Sequence, residues 1–265
     1  MVSKQDFCII AQARSGSTLL RHAFNAHPNA ICHGEVLSRI CVDGLQCKKQ
    51  KLFSNIQQFG LPVGVRQWLN GKRSVDNLSE LKATVGVKGF LRKRDANIVR
   101  YLESCVYNID STCIGFKVVY EDLFYSRASK EIFDFLKDRN IAVVHLTRKN
   151  ILRAFVSRMR MGKFGITHSS HKNSSKTPDS VSIDPNKLRN YQMKQQQFSQ
   201  SIIDRLGDQI VVEAFYEQLE EGYHQTIRAL GLDEYDMVRK LEPVGIRALD
   251  EYITNYEEVA EFDVQ

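Results

Sequence analysis

Short apolar runs alternate with stretches of helical periodicity along this chain, and this alternation constrains the fold more than any other feature. The apolar runs are residues 7–11, 85–90, 114–120, 141–147 and 210–214. Uninterrupted runs of this length are typical of strands buried on both faces of a parallel sheet. Apolar residues at helical spacing occur within residues 19–24, 132–136, 151–159 and 219–230, and Gly231 is a plausible stop for the last of these helices. The alternation predicts an α/β fold with a central parallel sheet flanked by helices.

The chain is long enough for one domain, and we expect residues 1–265 to form it. Two stretches interrupt the pattern. Residues 37–75 mix Lys, Gln, Gly and isolated aromatic residues, which indicates an irregular excursion with short helices. Residues 162–185 are rich in Ser, His, Lys and Thr, which indicates a mobile loop. This loop is either a lid over a polar substrate or a solvated linker.

The formal charge of +6 suits an anionic ligand but is too small to indicate nucleic acid binding. No apolar run approaches the roughly 20 residues of a membrane span, and we expect neither a transmembrane segment nor a signal peptide. The 6 cysteines form no C-x-x-C pair, which indicates reduced thiols in a cytoplasmic protein. The histidines lack the spacing of metal ligands, so we expect no metal site. Whether the chain forms a homo-oligomer stays open.

A turn that leads from the first strand into a helix is the strongest candidate for a binding site. It consists of Arg14, Ser15, Gly16, Ser17 and Thr18. Such a turn directs free backbone N–H groups at one point, where the helix dipole also favours an anion. The hydroxyl groups add donors, and the arginine fork fits phosphate or sulfate oxygens. A plain helix cap is the alternative. The nucleoside triphosphatase loop G-x-x-x-x-G-K-[ST] is not met, which disfavours ATP or GTP.

The residues around this turn resemble a known enzyme family. Ala-Arg-Ser-Gly-Ser-Thr-Leu-Leu at residues 13–20 closely resembles the 5′-phosphosulfate loop of sulfotransferases, which use 3′-phosphoadenosine 5′-phosphosulfate (PAPS). The similarity is greatest to bacterial Stf-type carbohydrate sulfotransferases and to tyrosylprotein sulfotransferases. It continues through residues 26–29 and 33–35. The resemblance implies a three-layer, P-loop-like sulfotransferase fold, a loop that binds the donor through residues up to Leu19, and Glu35 as the catalytic base.

Chain geometry permits that role for Glu35. A helix over residues 17–26 carries the chain about 15 Å from the loop, and extended residues after Pro28 return about the same distance. Without the resemblance, Glu35 would more plausibly be a solvated carboxylate or the ion-pair partner of Arg39. His33 lies two residues earlier and is a second candidate for acid or base catalysis.

The strand at residues 141–147 leads into a second candidate anchor. Arg148 follows this strand directly, and Ser157 lies on the helix after it. Ligands of open α/β sheets bind at the carboxyl ends of strands. The segment resembles the 3′-phosphate motif of the family, which implies that Arg148 and Ser157 hold the second phosphate of the donor. The spacing of this motif, from its arginine to its serine, is one residue longer than in the common cytosolic enzymes, so Lys149 could share or replace the role of Arg148. A basic helix start, with Ser157 facing water, is the alternative.

The resemblance therefore implies a metal-independent transfer of a sulfuryl group from PAPS to the hydroxyl group of a carbohydrate or glycolipid. Glu35 would accept the proton, and Arg14 would stabilise developing charge. A protein tyrosine is the second choice of acceptor, and a non-catalytic nucleotide-binding protein is the alternative from another class. Residues 115–117 and 214–219 extend the resemblance, and we interpret both segments as scaffold. Residues 249–259 also have family character, but no catalytic residue is assigned there.

Overall fold

The computed structural model describes residues 5–38, 95–107, 113–164, 180–237 and 248–264. The predicted strand at residues 85–90 lies outside these ranges. So do most of the predicted excursion at residues 37–75 and the central part of the predicted loop, residues 165–179.

A parallel sheet of 5 strands forms the centre of the molecule, as the sequence predicted. The strands are β1 (Phe7–Ala11), β2 (Ile31–Glu35), β3 (Ile114–Val119), β4 (Ala142–Thr147) and β5 (Ile210–Phe215). Their order across the sheet is β2-β3-β1-β4-β5, and every neighbouring pair is parallel. All carboxyl ends therefore meet at one edge, with β1 in the middle.

Helices connect the strands. They are α1 (Ser17–Ala26), α2 (Ile98–Tyr101, continuing as a π-helix over Leu102–Val106), α3 (Tyr120–Phe124), α4 (Ser129–Asp138), α5 (Ile151–Phe164), α6 (Pro185–Leu206), α7 (Leu219–Ala229) and α8 (Leu249–Tyr252). Short 3₁₀ turns occur at Gly207–Gln209, Tyr216–Gln218, Tyr256–Glu258 and Ala260–Phe262. No helix in the described ranges combines the length and the apolar character that crossing a membrane requires.

Successive side chains along a strand point to opposite faces of the sheet, so each strand contributes to a buried layer on both faces. Ile9 of β1 packs in one cluster with Phe24 of α1 and residues of α7, whereas Ile10 packs in another with residues of α4 and α6. Both faces of β1 are completely buried. This explains why the strand is apolar throughout rather than alternating with polar residues.

The structure differs from the predicted loop at residues 162–185 at both of its ends. Residues 162–164 belong to α5. Val181 pairs with Ile253, and Ile183 is buried against residues of α5 and α8. Asp184 then caps α6 by accepting hydrogen bonds from the backbone N–H groups of the next turn. The backbone bridge, the burial of Ile183 and the helix cap together order the C-terminal end of the predicted loop, although the loop has few apolar residues.

Candidate active site

The turn that the sequence predicts to bind phosphate, residues 13–18, joins the carboxyl end of β1 to the amino end of α1, and we call it the phosphate loop. Arg14 and Gly16 both have positive φ angles, 69° and 79°. A Cβ atom at position 16 would lie 2.6 Å from the ring of Tyr216, so only glycine fits there. Within the loop, the hydroxyl of Ser15 donates to the carbonyl of Gln12 at 2.7 Å. The loop is thus a tight turn against a tyrosine ring, and it opens into a helix amino terminus.

A bulge in β2 determines the direction in which Glu35 points. His33 pairs with Phe116 of β3, but Glu35 pairs with Lys117, so Gly34 is an extra residue in the ladder. Residues two apart on a strand normally share a face, and one inserted residue reverses this relation. Glu35 therefore lies on the face of the sheet occupied by Lys117, and His33 lies on the opposite face.

Lys117 connects Glu35 to the phosphate loop. Its Nζ lies 2.7 Å from Oε1 of Glu35, and it donates to Oγ1 of Thr18 at 2.9 Å and to Oγ of Ser17 at 3.4 Å. The Lys117 side chain is 6% exposed, whereas that of Glu35 is 33% exposed. A buried ammonium group thus binds the carboxylate and the loop hydroxyls together, while the carboxylate stays accessible to solvent.

The charges around Glu35 keep it ionised. Burial alone raises the pKa of its carboxyl group, but the ion pair and hydrogen bond with Lys117, together with Arg21 and Arg14, outweigh burial and lower the pKa below its ordinary value. Burial lowers the pKa of Arg14, which Glu35 partly offsets. The guanidinium nevertheless remains charged at neutral pH because its ordinary pKa is so high. At neutral pH a carboxylate therefore lies among cations, in a state that can accept a proton.

The second anchor meets the loop from the other side. The Arg14 Nε donates to Oγ of Ser157 on α5 at 2.9 Å. Arg148 donates from Nη1 to the carbonyl oxygen of Arg14 at 3.3 Å, and its guanidinium lies 4.1 Å from the centre of the Tyr216 ring. The Arg148 side chain is 11% exposed. Arg14, Arg148 and Ser157, which are far apart in the sequence, form one cluster.

Lys149 points elsewhere. Its ammonium group lies 4.4 Å from the centre of the Phe215 ring, and the residue is exposed. Its backbone N–H and that of Asn150 donate to the two carboxylate oxygens of Glu217, at 3.1 and 3.2 Å. Of the two basic residues after β4, Arg148 is therefore the one placed beside the loop.

His33 lies in the interior. It is fully buried, and its Nε2 is 3.0 Å from the carbonyl oxygen of Val106. Burial lowers the pKa of its imidazole to about 4, so the ring is neutral at physiological pH. With its ring on the face opposite Glu35, His33 has the contacts of a core residue rather than those of a proton acceptor.

Leu19 is half-buried and packs against the apolar cluster that contains Ile9 and Phe24, where it supports the helix that follows the loop.

Sequence reasoning missed several residues of this site. It treated Lys117 and the segment containing Tyr216 and Glu217 as scaffold, and it did not consider Gln12. One signal was present for Lys117, because a lysine inside an apolar strand rarely lacks a charged partner. The C-terminal segment also reaches the site, since Asp263 accepts a hydrogen bond from Asn150 Nδ2 at 2.6 Å.

No protein-family model matches the chain, and no curated protein matches it significantly. Among the described residues, no group of three or more His, Cys, Asp or Glu side chains is arranged to hold a metal ion.

Proposed function

We propose that the chain is a PAPS-dependent sulfotransferase with the P-loop-like fold of that family. The observation that carries the proposal is the contiguous cluster at the carboxyl edge of the sheet. There, the Lys117–Glu35 ion pair contacts the phosphate loop on one side, and the Arg14–Ser157 and Arg14–Arg148 contacts extend it on the other. Such a cluster suits a ligand with two anionic groups and a reaction that needs a base beside one of them.

The two halves of the cluster suit the two ends of the donor. The phosphate loop and Arg14 would bind the 5′-phosphosulfate, because backbone N–H groups at a helix start and a guanidinium both favour such an anion. Arg148 and Ser157 would bind the 3′-phosphate. The stacking of Arg148 on Tyr216 supports this role, since it reduces the conformational freedom that binding would otherwise cost.

The residues then suggest an in-line transfer. The acceptor oxygen forms a bond to sulfur while the bond between sulfur and the bridging phosphate oxygen breaks, which releases adenosine 3′,5′-bisphosphate. The proton of the acceptor hydroxyl passes to a carboxylate oxygen of Glu35. Lys117 and Arg14 stabilise the negative charge that develops on the sulfuryl oxygens and the leaving phosphate. The scheme uses only groups of this chain and the two substrates.

A carbohydrate or glycolipid is our first choice of acceptor, because the loop is most similar to the bacterial carbohydrate enzymes. A protein tyrosine is the second. A non-catalytic nucleotide-binding protein of the same fold would not need a base, and the Lys117–Glu35 pair beside the loop favours the enzyme.

Transfer of ³⁵S from labelled PAPS to a panel of glycans, glycolipids and tyrosine peptides tests the proposal. We expect label on one acceptor class, with one adenosine 3′,5′-bisphosphate released for each sulfate transferred. If the chain binds the bisphosphate but labels no member of the panel, the non-catalytic alternative gains support. If it binds no bisphosphate, the proposal is wrong.

A further inference from the structure

Gln12 lies between the two anion-binding elements and contacts both. It follows β1 directly and is 3% exposed. Its backbone carbonyl accepts hydrogen bonds from the hydroxyl and the N–H of Ser15, at 2.7 and 3.3 Å, and its own N–H donates to Leu146 of β4 at 2.9 Å. The main chain of Gln12 therefore fixes the start of the phosphate loop against β4.

The side chain of Gln12 reaches the second anchor. Its Oε1 accepts a hydrogen bond from the backbone N–H of Arg148 at 3.0 Å. The pairing of β1 with β4 ends at Ala11 and Leu146, so the β1 ladder does not extend to Arg148. The glutamine side chain thus continues the link between these strands by one more hydrogen bond, at the point where the loop and the second anchor diverge.

The other end of the amide argues against a purely packing role. Its Nε2 is buried and forms no hydrogen bond of ordinary geometry with the described residues, although the Tyr191 hydroxyl is close enough to interact with it. A buried amide donor without a well-made hydrogen bond destabilises a fold, so an apolar side chain would serve packing better. The contact that Oε1 makes with Arg148 supplies a reason for glutamine at this position.

We propose that Gln12 is a positioning residue that holds the backbone of Arg148 in register with the phosphate loop. Through this hydrogen bond, the Arg148 guanidinium stays against the backbone carbonyl of Arg14, whose side chain contacts Ser157. Gln12 thereby sets the preference for nucleotides that carry a 3′-phosphate as well as a 5′-phosphate. This inference rests on the proposed function, because it concerns the second anchor of that same site.

Gln12→Met tests the proposal, since methionine has a similar length and no strong acceptor. Isothermal titration calorimetry with adenosine 3′,5′-bisphosphate and with AMP separates the two anchors. We expect the Kd for the bisphosphate to rise about fivefold to tenfold, as the loss of one net hydrogen bond implies. The Kd for AMP changes less than about twofold, because the Ser15 contacts are made by the main chain. The matched control is Gln5→Met at the other end of β1, where Nε2 donates to Asn140 at 2.7 Å, and it leaves both constants unchanged.

A double-mutant cycle distinguishes a positioning role from a merely structural one, because only the positioning role makes the effect of Gln12→Met depend on Arg148. In an Arg148→Ala background, Gln12→Met should cause no further loss of bisphosphate affinity, because its effect passes through Arg148. Additive losses, or equal losses for both nucleotides, would overturn the assignment. If Gln12→Met does not fold, Gln12→Asn replaces it, since asparagine keeps the amide but is one methylene shorter. A wild-type chain that binds both nucleotides equally contradicts the proposed function itself. If the wild-type chain prefers the bisphosphate over AMP and Gln12→Met shows the same preference, only the role of Gln12 is contradicted.

Discussion

The two sides of the sheet edge that flank β1 carry different kinds of groups. On the β2–β3 side, a carboxylate and an ammonium lie 2.7 Å apart, and the ammonium also contacts the loop hydroxyls. On the β4–β5 side, Arg148 stacks on a tyrosine ring, its backbone N–H donates to Gln12, and Glu217 accepts from the next two backbone N–H groups.

Under the proposed function, this difference separates proton transfer from donor binding. The β2–β3 side holds the Glu35 carboxylate, which is ionised and can accept a proton. Next to it, the Lys117 ammonium can stabilise negative charge that develops during a reaction. The β4–β5 side holds a cation over a tyrosine ring, and its ion pair with Glu217 is long, with 3.9 Å between Arg148 Nε and the carboxylate. We therefore expect changes on the first side to reduce turnover and changes on the second to reduce donor affinity.

Glu35→Gln should give the largest effect. It removes the proton acceptor but preserves size, so we expect kcat to fall by about 10² or more while the Kd for adenosine 3′,5′-bisphosphate changes little. Steady-state kinetics with labelled PAPS and calorimetry measure the two quantities. Glu103→Gln, which removes an ion-paired carboxylate that contacts Arg139, is the matched control and should retain full turnover. A variant at Glu35 with normal kcat would assign the base elsewhere.

Lys117→Met should reduce kcat by roughly tenfold to a hundredfold and should also change its pH dependence. The Glu35 carboxyl then keeps the burial that raises its pKa but loses the cation that lowers it most. Its pKa moves upward, so the acidic limb of the pH–rate profile shifts to higher pH. Lys130→Met removes an exposed ion pair with Asp134 and serves as the control. An acidic limb that stays in place would mean that Lys117 does not govern the protonation of Glu35.

Arg148→Ala should weaken binding of adenosine 3′,5′-bisphosphate by roughly tenfold to a hundredfold, because a charge-assisted contact is lost. At saturating PAPS, kcat should remain within about threefold of wild type. Arg139→Ala is the matched control, since Arg139 also lies over an aromatic ring, that of Phe135, and pairs with a glutamate. If kcat and affinity fall together, the two sides of the edge do not act separately.

The smallest effect concerns stability, and it involves neither the turn at residues 13–18 nor Arg148. Burial lowers the pKa of His33 and of His145 to about 4, from 6.5. Below pH 6.5 the unfolded chain binds protons that the folded chain does not, so stability falls as the pH drops toward 4. We expect the Tm to fall by roughly 5–15 °C over this window.

A variant of His145 tests whether the buried histidines cause this fall of Tm at low pH. Its Nε2 lies 2.5 Å from the Tyr120 hydroxyl in the core. His145→Gln keeps a hydrogen-bonding side chain that does not titrate, so it should flatten the decline of Tm with acid. Thermal melts at several pH values measure this, and an unchanged slope would show that other groups dominate.

The sequence was most informative where burial is complete, although β5 was also predicted and is partly exposed rather than buried on both faces. The apolar runs of β1 and β4 are buried on both faces, so each was recognisable without its neighbours. β2 contains Cys-His-Gly-Glu, and it was expected only as extended chain because its pattern reflects the Gly34 bulge rather than a regular alternation. α6 was missed because its Gln and Lys residues dilute the apolar positions that face the core.

The site was predictable where its residues are adjacent in the sequence. The strand-to-helix turn at residues 13–18 was recognisable from one local pattern, and the position of Arg148 from one strand end. The long-range contacts of Lys117 and Gln12 could not be predicted, because these partners are about a hundred residues away or more and depend on which strands are neighbours. Local sequence patterns do not specify that β3 lies between β2 and β1, and this order is what brings Lys117 to Glu35 and the loop.

Calorimetric titration of the wild-type chain with adenosine 3′,5′-bisphosphate and with ATP tests the central claim most directly, since only the first carries a 3′-phosphate. The account predicts that the bisphosphate binds at least about tenfold more tightly than ATP, because Arg148 and Ser157 would contact the group that ATP lacks. Equal affinity for the two nucleotides would contradict it.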